Sequence, residues 1–483
     1  MGTTSLESRT YSGGDLDASF PWLKNVTTAD RGKLYFRWST SEPDITSAQW
    51  QITDSVGGFS GSPNIILSGE RTDTPSPGQT REFTIELKQF FPPVPPPQPK
   101  SFYIRIVPRK SNRALTPSSG VKVTYVKPVS TEIKEFSVER FEQKLKAQLE
   151  GKTIGYAYAI YELTTLRKAG AGGWAVVPDV PHSPDRRTTM LSMSKTITAV
   201  AVMKAMEEMR TKGEAITIDS HIHPYLPSNW KRGPLVEQVT FKHLLTHKSG
   251  LRGTGPKSDP DTYLQLKRTI EAGAVNGFGN PFYDNANFCL FRIIISYMVA
   301  NREGLNAFAS NSDFMARHTG VTYVSYVQKH ILEPIDLAGV SVVPTGPVPY
   351  TRYYKFNSIA VSSTDPLDDT AILRTGAGYW HMSAKEFGRF IASIRYRPGR
   401  IISPESFKLM MDNQLGMYEA PNPADQARHW DHNGRAIDGA GAGSESDWMI
   451  FSNGITAVIT MNSVGGLGKA PPDIVRDAFN EAW

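Results

Sequence analysis

Hydrophobic and polar positions alternate with a period of two through the first quarter of the chain, and the pattern then changes. KLYFRWST (33–40), SAQWQITD (47–54), NIILSG (64–69), REFTIELKQF (81–90), SFYIRIVP (101–108) and VKVTYVK (121–127) are short, aromatic and β-branched, with Gly, Pro, Ser and Asp clusters between them. In one segment Phe83, Ile85 and Leu87 share a face, and in another Phe102, Ile104 and Ile106 do. Such alternation predicts strands with one buried face, and their succession predicts an all-β sandwich. FPPVPPPQPK (91–100) falls between two of these strands. Its PxxP pattern would suit an SH3-like partner, but the strand-like flanks favour a stiff inter-strand loop.

From about residue 130 a longer period takes over. SVERFEQKLKAQLE (137–150) has the spacing of an amphipathic helix, with Ser137 placed to cap it. TIGYAYAIYEL (153–163) and WAVVPDV (174–180) read as strands, and helices are predicted from Ser192, Phe288, Val324 and Ala384. DWMIFS (447–452) and ITAVITMNS (455–463) return to strands, and PPDIVRDAFNEAW (471–483) closes with a helix. Strands at both ends of this part, with helices between, predict one sheet built from its termini and covered by helices. The expected organisation is a β-sandwich accessory domain over 1–127 and an α/β domain over 128–483, with no internal repeat.

Composition narrows the class. A chain of 483 residues exceeds one ordinary core, and 39% hydrophobic with 21% charged residues is the balance of a globular protein. No apolar run reaches the roughly 18 residues of a membrane span. MGTTSLESRTYSGGDLD has neither the basic start nor the apolar core of a secretory signal, and Leu6 breaks the myristoylation pattern, so a cytoplasmic location is expected. The single cysteine, Cys289, excludes an internal disulfide framework. Its apolar surroundings, FCLFRIIISYMV, predict a packed thiol rather than a nucleophile. The net charge of +6 is scattered along the chain, which predicts solvated surface and no nucleic-acid partner.

Candidate chemistry begins in TTMLSMSKTITAVAVMKAMEEM (188–209). The spacing Ser-x-x-Lys occurs at Ser119/Lys122, Ser228/Lys231 and Ser192/Lys195. The first pair falls in a strand, where residues three apart face opposite ways, and the second in the loop LPSNWK. Only Ser192/Lys195 opens a helix, where that spacing stacks hydroxyl and amine on one face, near free backbone N–H groups that favour a developing anion. A serine becomes a nucleophile beside such an amine if the amine is desolvated enough to accept a proton.

Two further elements follow in order. Tyr283-x-Asn285, in NPFYDNANF, precedes an apolar helix; it reads locally as a turn and cap, or as a phenol that shuttles a proton and an amide that holds substrate. His432-Asn433-Gly434 enters the terminal strands, where a His-x-Gly strand can lay backbone along a substrate and complete an oxyanion hole.

With these three elements, residues from about 130 to 483 resemble the serine β-lactamase and DD-peptidase superfamily. The resemblance is to the branch of class C β-lactamases, D-aminopeptidases and family VIII carboxylesterases. FKHLLTHKSGL, YVQKHILEPIDLAGV, TGAGYWHMSAKEFGRFIASI and RIISPESFKLMMDNQ resemble further family segments in the same order. The resemblance implies a β-lactamase/transpeptidase-like domain of antiparallel sheet and helical region. It implies Ser192 as nucleophile, Lys195 as general base and Tyr283 as proton donor to the leaving group. Asn285 would orient substrate and Lys195, and His432, Gly434 and Arg435 would line the substrate. The oxyanion hole would be the N–H groups of Ser192 and Arg435, with no metal and no cofactor.

Three departures bear on substrate. Histidine stands where penicillin-binding proteins have the lysine of KTG, Arg435 follows the glycine where a small residue is usual, and the turn GAGAGS is offset. A carboxylic ester or D-amino-acid peptide is therefore favoured over a β-lactam, with acyl transfer open to the same groups and an inactive scaffold as the rival reading. Trp38, Trp50 and the run YIRIVPRKSN–PSSGVKVTY make the first part resemble a fibronectin type III domain, implying docking or homo-oligomer contacts there. Lys248-Ser249-Gly250 matches K[TS]G but precedes Tyr283; Arg374-Thr375-Gly376 comes in order but runs into a helix. His243 and His247 have the spacing of a zinc pair without its glutamate, as HIH (221–223) also lacks further ligands, so both are expected to be structural. The absence of G-x-S-x-G argues against an α/β-hydrolase.

Overall fold

The computed structural model describes residues 136–253, 262–343, 351–363, 369–397, 399–421 and 428–483. Before them it describes 4–9, 33–41, 43–53, 67–72, 74–77, 79–86, 100–111, 113–114 and 121–125. The elements described before residue 126 are all strands. Thr4–Arg9, Lys33–Thr40 and Thr80–Glu86 form one antiparallel sheet. Leu67–Arg71, Ser47–Thr53 and Lys100–Lys110 form a second, with Val121–Tyr125 also paired to Lys100–Lys110. Residues 91–99 of the proline-rich run lie outside the described residues, as does Ser119.

The larger part is organised by a seven-stranded antiparallel sheet. Its strands in chain order are β1 (Gly155–Glu162), β2 (Thr165–Val176), β3 (Val180–Pro181), β4 (Tyr418–Pro421), β5 (Arg428–Ile437), β6 (Gly443–Ile450) and β7 (Ile455–Met461). In space they run β3-β2-β1-β7-β6-β5-β4, so the two chain ends of the domain meet at the β1–β7 pair. Nearly every position of β1, β6 and β7 is buried, because both faces of the sheet are covered. Ala157, Ala159, Tyr161, Trp448, Ile450 and Val458 enter one core, while Tyr156, Tyr158, Ile160, Met449, Ile459 and Met461 enter the other.

The second core is closed by α1 (Val138–Leu149) and the C-terminal helix Pro471–Asn480, with Ser137 capping α1 through Arg140 N–H. The first core is helical. At its centre is α2 (Ser194–Thr211), buried throughout its first ten residues. Packed with it are α3 (Ala286–Val299), α4 (Ser312–Val327), α5 (Ala384–Tyr396) and α6 (Pro404–Asn413).

Two boundaries differ from expectation. Ser192 lies in a 3₁₀ turn, Leu191–Met193, and the α-helix begins two residues later. Val324 sits inside α4, which starts at Ser312 under an Asn311 cap. The stretch 301–323 contains the helix Arg302–Ala307 as well. Tertiary packing of Met315, Thr319 and Tyr323 onto the core stabilises a helix whose own apolar periodicity is weak.

Candidate active site

Strand pair Thr188–Thr189 and His381–Met382 leads the chain into the serine turn. Leu191 has φ of 49°, a left-handed conformation that costs a bulky residue about 1–3 kcal/mol. The turn is held by Met190 N–H on Trp380 O and Met193 N–H on Met190 O. This arrangement projects Ser192 from the N-terminal end of α2, half-buried, while Lys195 one turn on is fully buried. Lys195 Nζ lies 3.0 Å from Ser192 Oγ and donates to Ala377 O at 2.9 Å. Tyr283 donates from its hydroxyl to Ser192 Oγ at 2.6 Å. One oxygen therefore receives an amine and a phenol together. Lys195 Nζ also lies 4.9 Å from the Tyr283 ring centre.

Strand β5 runs past this turn. A Cβ on Gly434 would come within 2.6 Å of Leu191 Cβ and 3.1 Å of Met190 O, so the close approach requires glycine. His432, two residues earlier on the same face, is buried. Burial and the nearby Lys195 charge push its imidazole down to about 3, which keeps it neutral near pH 7.

The phase of the β5–β6 ladder follows from the bond closing its hairpin, Asp438 N–H on Ala442 O. In an antiparallel pair the hydrogen-bonded positions alternate. The register Gly434↔Ser446 then turns the even residues toward β6 and directs the N–H and C=O of Asn433 and Arg435 away from it. Pairing with β4 on that side stops at Asp431. Among the described residues, the backbone after it forms an open edge.

Two expectations are corrected here. The Arg435 side chain offers no cation to the site: alternation sends it to the opposite face from His432 and Gly434, where its Nε pairs with Glu445 at 2.9 Å. Asn285 does not hold Lys195, whose amine, among the described residues, bonds Ser192 and Ala377; as the residue before α3, Asn285 is exposed and makes no side-chain cap bond. Ser192, Lys195, Tyr283, His432, Gly434 and the Arg435 backbone thus come to one region, with Asn285 at its rim.

The structure adds groups that spacing could not reveal. Ala377 O holds Lys195 because Gly376, at φ of 110°, turns the 375–378 segment against α3, where a Cβ would meet Phe288 O at 2.5 Å. Buried Arg292 of α3 donates to Thr375 O at 3.0 Å and braces that segment. Arg374-Thr375-Gly376 therefore supports the lysine and is not a substrate strand. His247 packs against the Tyr283 ring at 4.5 Å between centres, the planes tilted by 31°. A cavity of about 220 Å³ adjoins these side chains, with His247, Phe288, Gln414, Met417, Tyr418 and His432 in its walls. Among the described residues no group of three or more His, Cys, Asp or Glu could hold a metal, and no helix is long and apolar enough to cross a membrane.

Residues 138–298 match the model of the family described as Beta-lactamase. No curated protein matches the chain. Among solved structures, the octameric penicillin-binding protein homologue from Pyrococcus abyssi is 19% identical, with a TM-score of 0.54 over 71% of this chain and 76% of its own. FmtA from Staphylococcus aureus is 18% identical, with a TM-score of 0.55 over 73% and 91% respectively. D-amino acid amidase from Ochrobactrum anthropi is 16% identical, with a TM-score of 0.53 over 71% and 96%. The fold is that of the β-lactamase/transpeptidase-like superfamily.

Proposed function

We infer that this chain is a serine hydrolase that forms an acyl-enzyme on Ser192 and cleaves a carboxylic ester or a D-amino-acid peptide or amide. What carries this reading is the meeting of Lys195 Nζ and the Tyr283 hydroxyl at Ser192 Oγ, beside the open edge of β5. Ser192 Oγ attacks the substrate carbonyl while its proton passes to the Lys195 amine. The oxyanion is held by the N–H groups of Ser192, at the start of a helix, and of Arg435, on the open edge. Tyr283 protonates the departing alcohol or amine and is reprotonated from Lys195. Water then attacks the acyl carbon, gives its proton to the same pair, and Ser192 Oγ regains its own as the acid leaves. An acceptor other than water would give acyl transfer with the same groups.

Neutral His432 supports an ester or amide over a β-lactam, because it supplies no fixed cation for a β-lactam carboxylate where penicillin-binding proteins have lysine. The D-amino acid amidase of similar fold makes a D-amino-acid amide the first substrate to try. Exposed Asn285 is read as a contact to the substrate chain. The N-terminal strands are read as a fibronectin type III-like docking or oligomer-forming domain.

Intact mass after brief exposure to p-nitrophenyl acetate, a penicillin and a fluorophosphonate tests the reading, with Ser192→Ala alongside. A single adduct on the wild type, absent from the variant, is the expected result. A folded wild type that takes up none of the three sinks the assignment and leaves the scaffold reading.

A further inference from the structure

The segment carrying Tyr283 has no regular structure of its own, yet the phenol must be held over Ser192. Its backbone is laid against the turn His247–Gly250. Asn276 N–H donates to Gly250 O at 3.1 Å, Gly279 N–H to Lys248 O at 2.9 Å, and Phe282 N–H to His247 O at 2.8 Å. Asp284 N–H donates to His247 Nδ1 at 3.3 Å. One residue thus bonds the backbone on both sides of Tyr283, while its imidazole packs tilted against the phenol ring at 4.5 Å and against Phe288 at 5.1 Å. His247 adopts φ of 55°, left-handed backbone that a non-glycine residue keeps only where its surroundings impose it. Ser249 Oγ, next in the turn, donates to Asn287 Oδ1 at 2.5 Å and ties the same turn to the first residues of α3.

We propose that His247 is the positioning residue of the reaction, holding the Tyr283 hydroxyl on Ser192 by clamping the chain before and after it. The inference rests on Tyr283 acting as read above. The clamp works with a neutral ring, since only an unprotonated Nδ1 accepts from Asp284 N–H. Around the imidazole stand Lys195 from α2, His432 from β5, and Tyr283 and Asp284 from the clamped segment. Burial, first, and then the nearby Lys195 charge push it down to about 3. The clamp therefore persists over the neutral range.

The test is a double-mutant cycle on the rate of fluorophosphonate labelling in the full chain, using His247→Ala, His247→Asn, Tyr283→Phe and the combination of Ala with Phe. 3-Fluorotyrosine placed at position 283 gives a second, activity-independent readout by ¹⁹F NMR. Misplacing a catalytic group by an ångström costs on the order of 10²-fold, so His247→Ala should slow labelling by about that factor. It should add nothing to Tyr283→Phe, because a positioning effect vanishes with the group it positions. His247→Asn keeps a short acceptor and tolerates left-handed backbone; it should recover to within about tenfold of wild type and restore the ¹⁹F signal that Ala shifts. Losses that multiply through the cycle, or a folded Asn variant as slow as Tyr283→Phe, would overturn the proposal. If Ala does not fold, the Asn variant decides alone. If the wild type does not label at all, the hydrolase reading falls, and the ¹⁹F spectra still judge the clamp: an unmoved Tyr283 signal in a folded variant rejects it.

Discussion

Ser192 gains its setting from residues that are unremarkable in isolation. Leu191 in left-handed backbone and Gly434 without a Cβ together let the serine turn and β5 approach to contact. Gly434→Ala puts a methyl where Leu191 Cβ and Met190 O already stand, so overpacking should cost about 1–3 kcal/mol. Because the strain falls on the serine turn, labelling of Ser192 should slow more than stability suffers. Thermal melts beside labelling rates check this, and an alanine variant that labels like wild type would discount the contact. Lys195→Met, nearly isosteric, should remove the base and reduce acylation by about 10²–10⁴-fold while the fold is kept; an unchanged rate would take proton transfer away from Lys195. At this scale the Ser192/Lys195 spacing, Tyr283 and the His432–Gly434 pair could be read from sequence, because each is a pattern of residues close together in the chain. Ala377 and His247 could not. Ala377 acts through a carbonyl that every residue possesses, and His247 through contacts to residues some thirty-five positions on, which the HLLTH spacing does not announce.

Each face of β5 has its own environment. Toward the helices it presents His432 and Gly434. Toward the helix Pro471–Asn480 it presents His429 and Asp431, beside the buried Asp447 of β6. Burial raises Asp431 to about 6, and Asp447 goes well above the usual carboxylate range through burial and then the neighbouring Asp431; Arg476 opposes both shifts and Asp473 adds to them. A carboxyl whose folded pKa is raised binds its proton more tightly when folded. Its stabilisation is complete below the unfolded value near 4 and is lost as pH rises through the folded one. The urea midpoint should therefore decline from about pH 5 to pH 7 on account of this pair, and Asp447→Asn should remove much of that decline, gaining about 1–2 kcal/mol at neutral pH. Equal slopes in variant and wild type would refute the assignment. The buried histidines have the opposite sign: burial holds His247 and His432 down to about 3 and His182 and His429 to about 4, so their contribution is present above the unfolded value and lost as pH falls. The cap of α1 at Ser137 was legible in the sequence. Ser383 caps α5 in a reciprocal box with Glu386, so Ser383→Ala should cost about 1 kcal/mol in urea unfolding.

At the scale of the whole molecule the sheet divides two cores, and the helices flanking its ends close one of them. Phe136 packs on Phe479 at 4.8 Å and on Trp483 at 5.1 Å between ring centres, so the larger domain begins no later than this residue. A chain starting at 128 should fold and label at Ser192 like the full protein, while one starting at 151, without α1, should expose Phe451 and Phe479 and aggregate; size-exclusion and labelling measurements separate these outcomes. Sequence by itself determined the strand-rich first quarter, the change of pattern near residue 130, and the order serine–lysine, tyrosine, histidine–glycine. Periodicity and short motifs record which face of an element is buried and which groups share a turn. Only tertiary structure decided that Arg435 turns away to Glu445, that Asn285 leaves Lys195 to Ala377, and that His247 meets Tyr283. Those outcomes depend on strand phase and on the approach of segments distant in the chain, and short-range spacing carries no information about either.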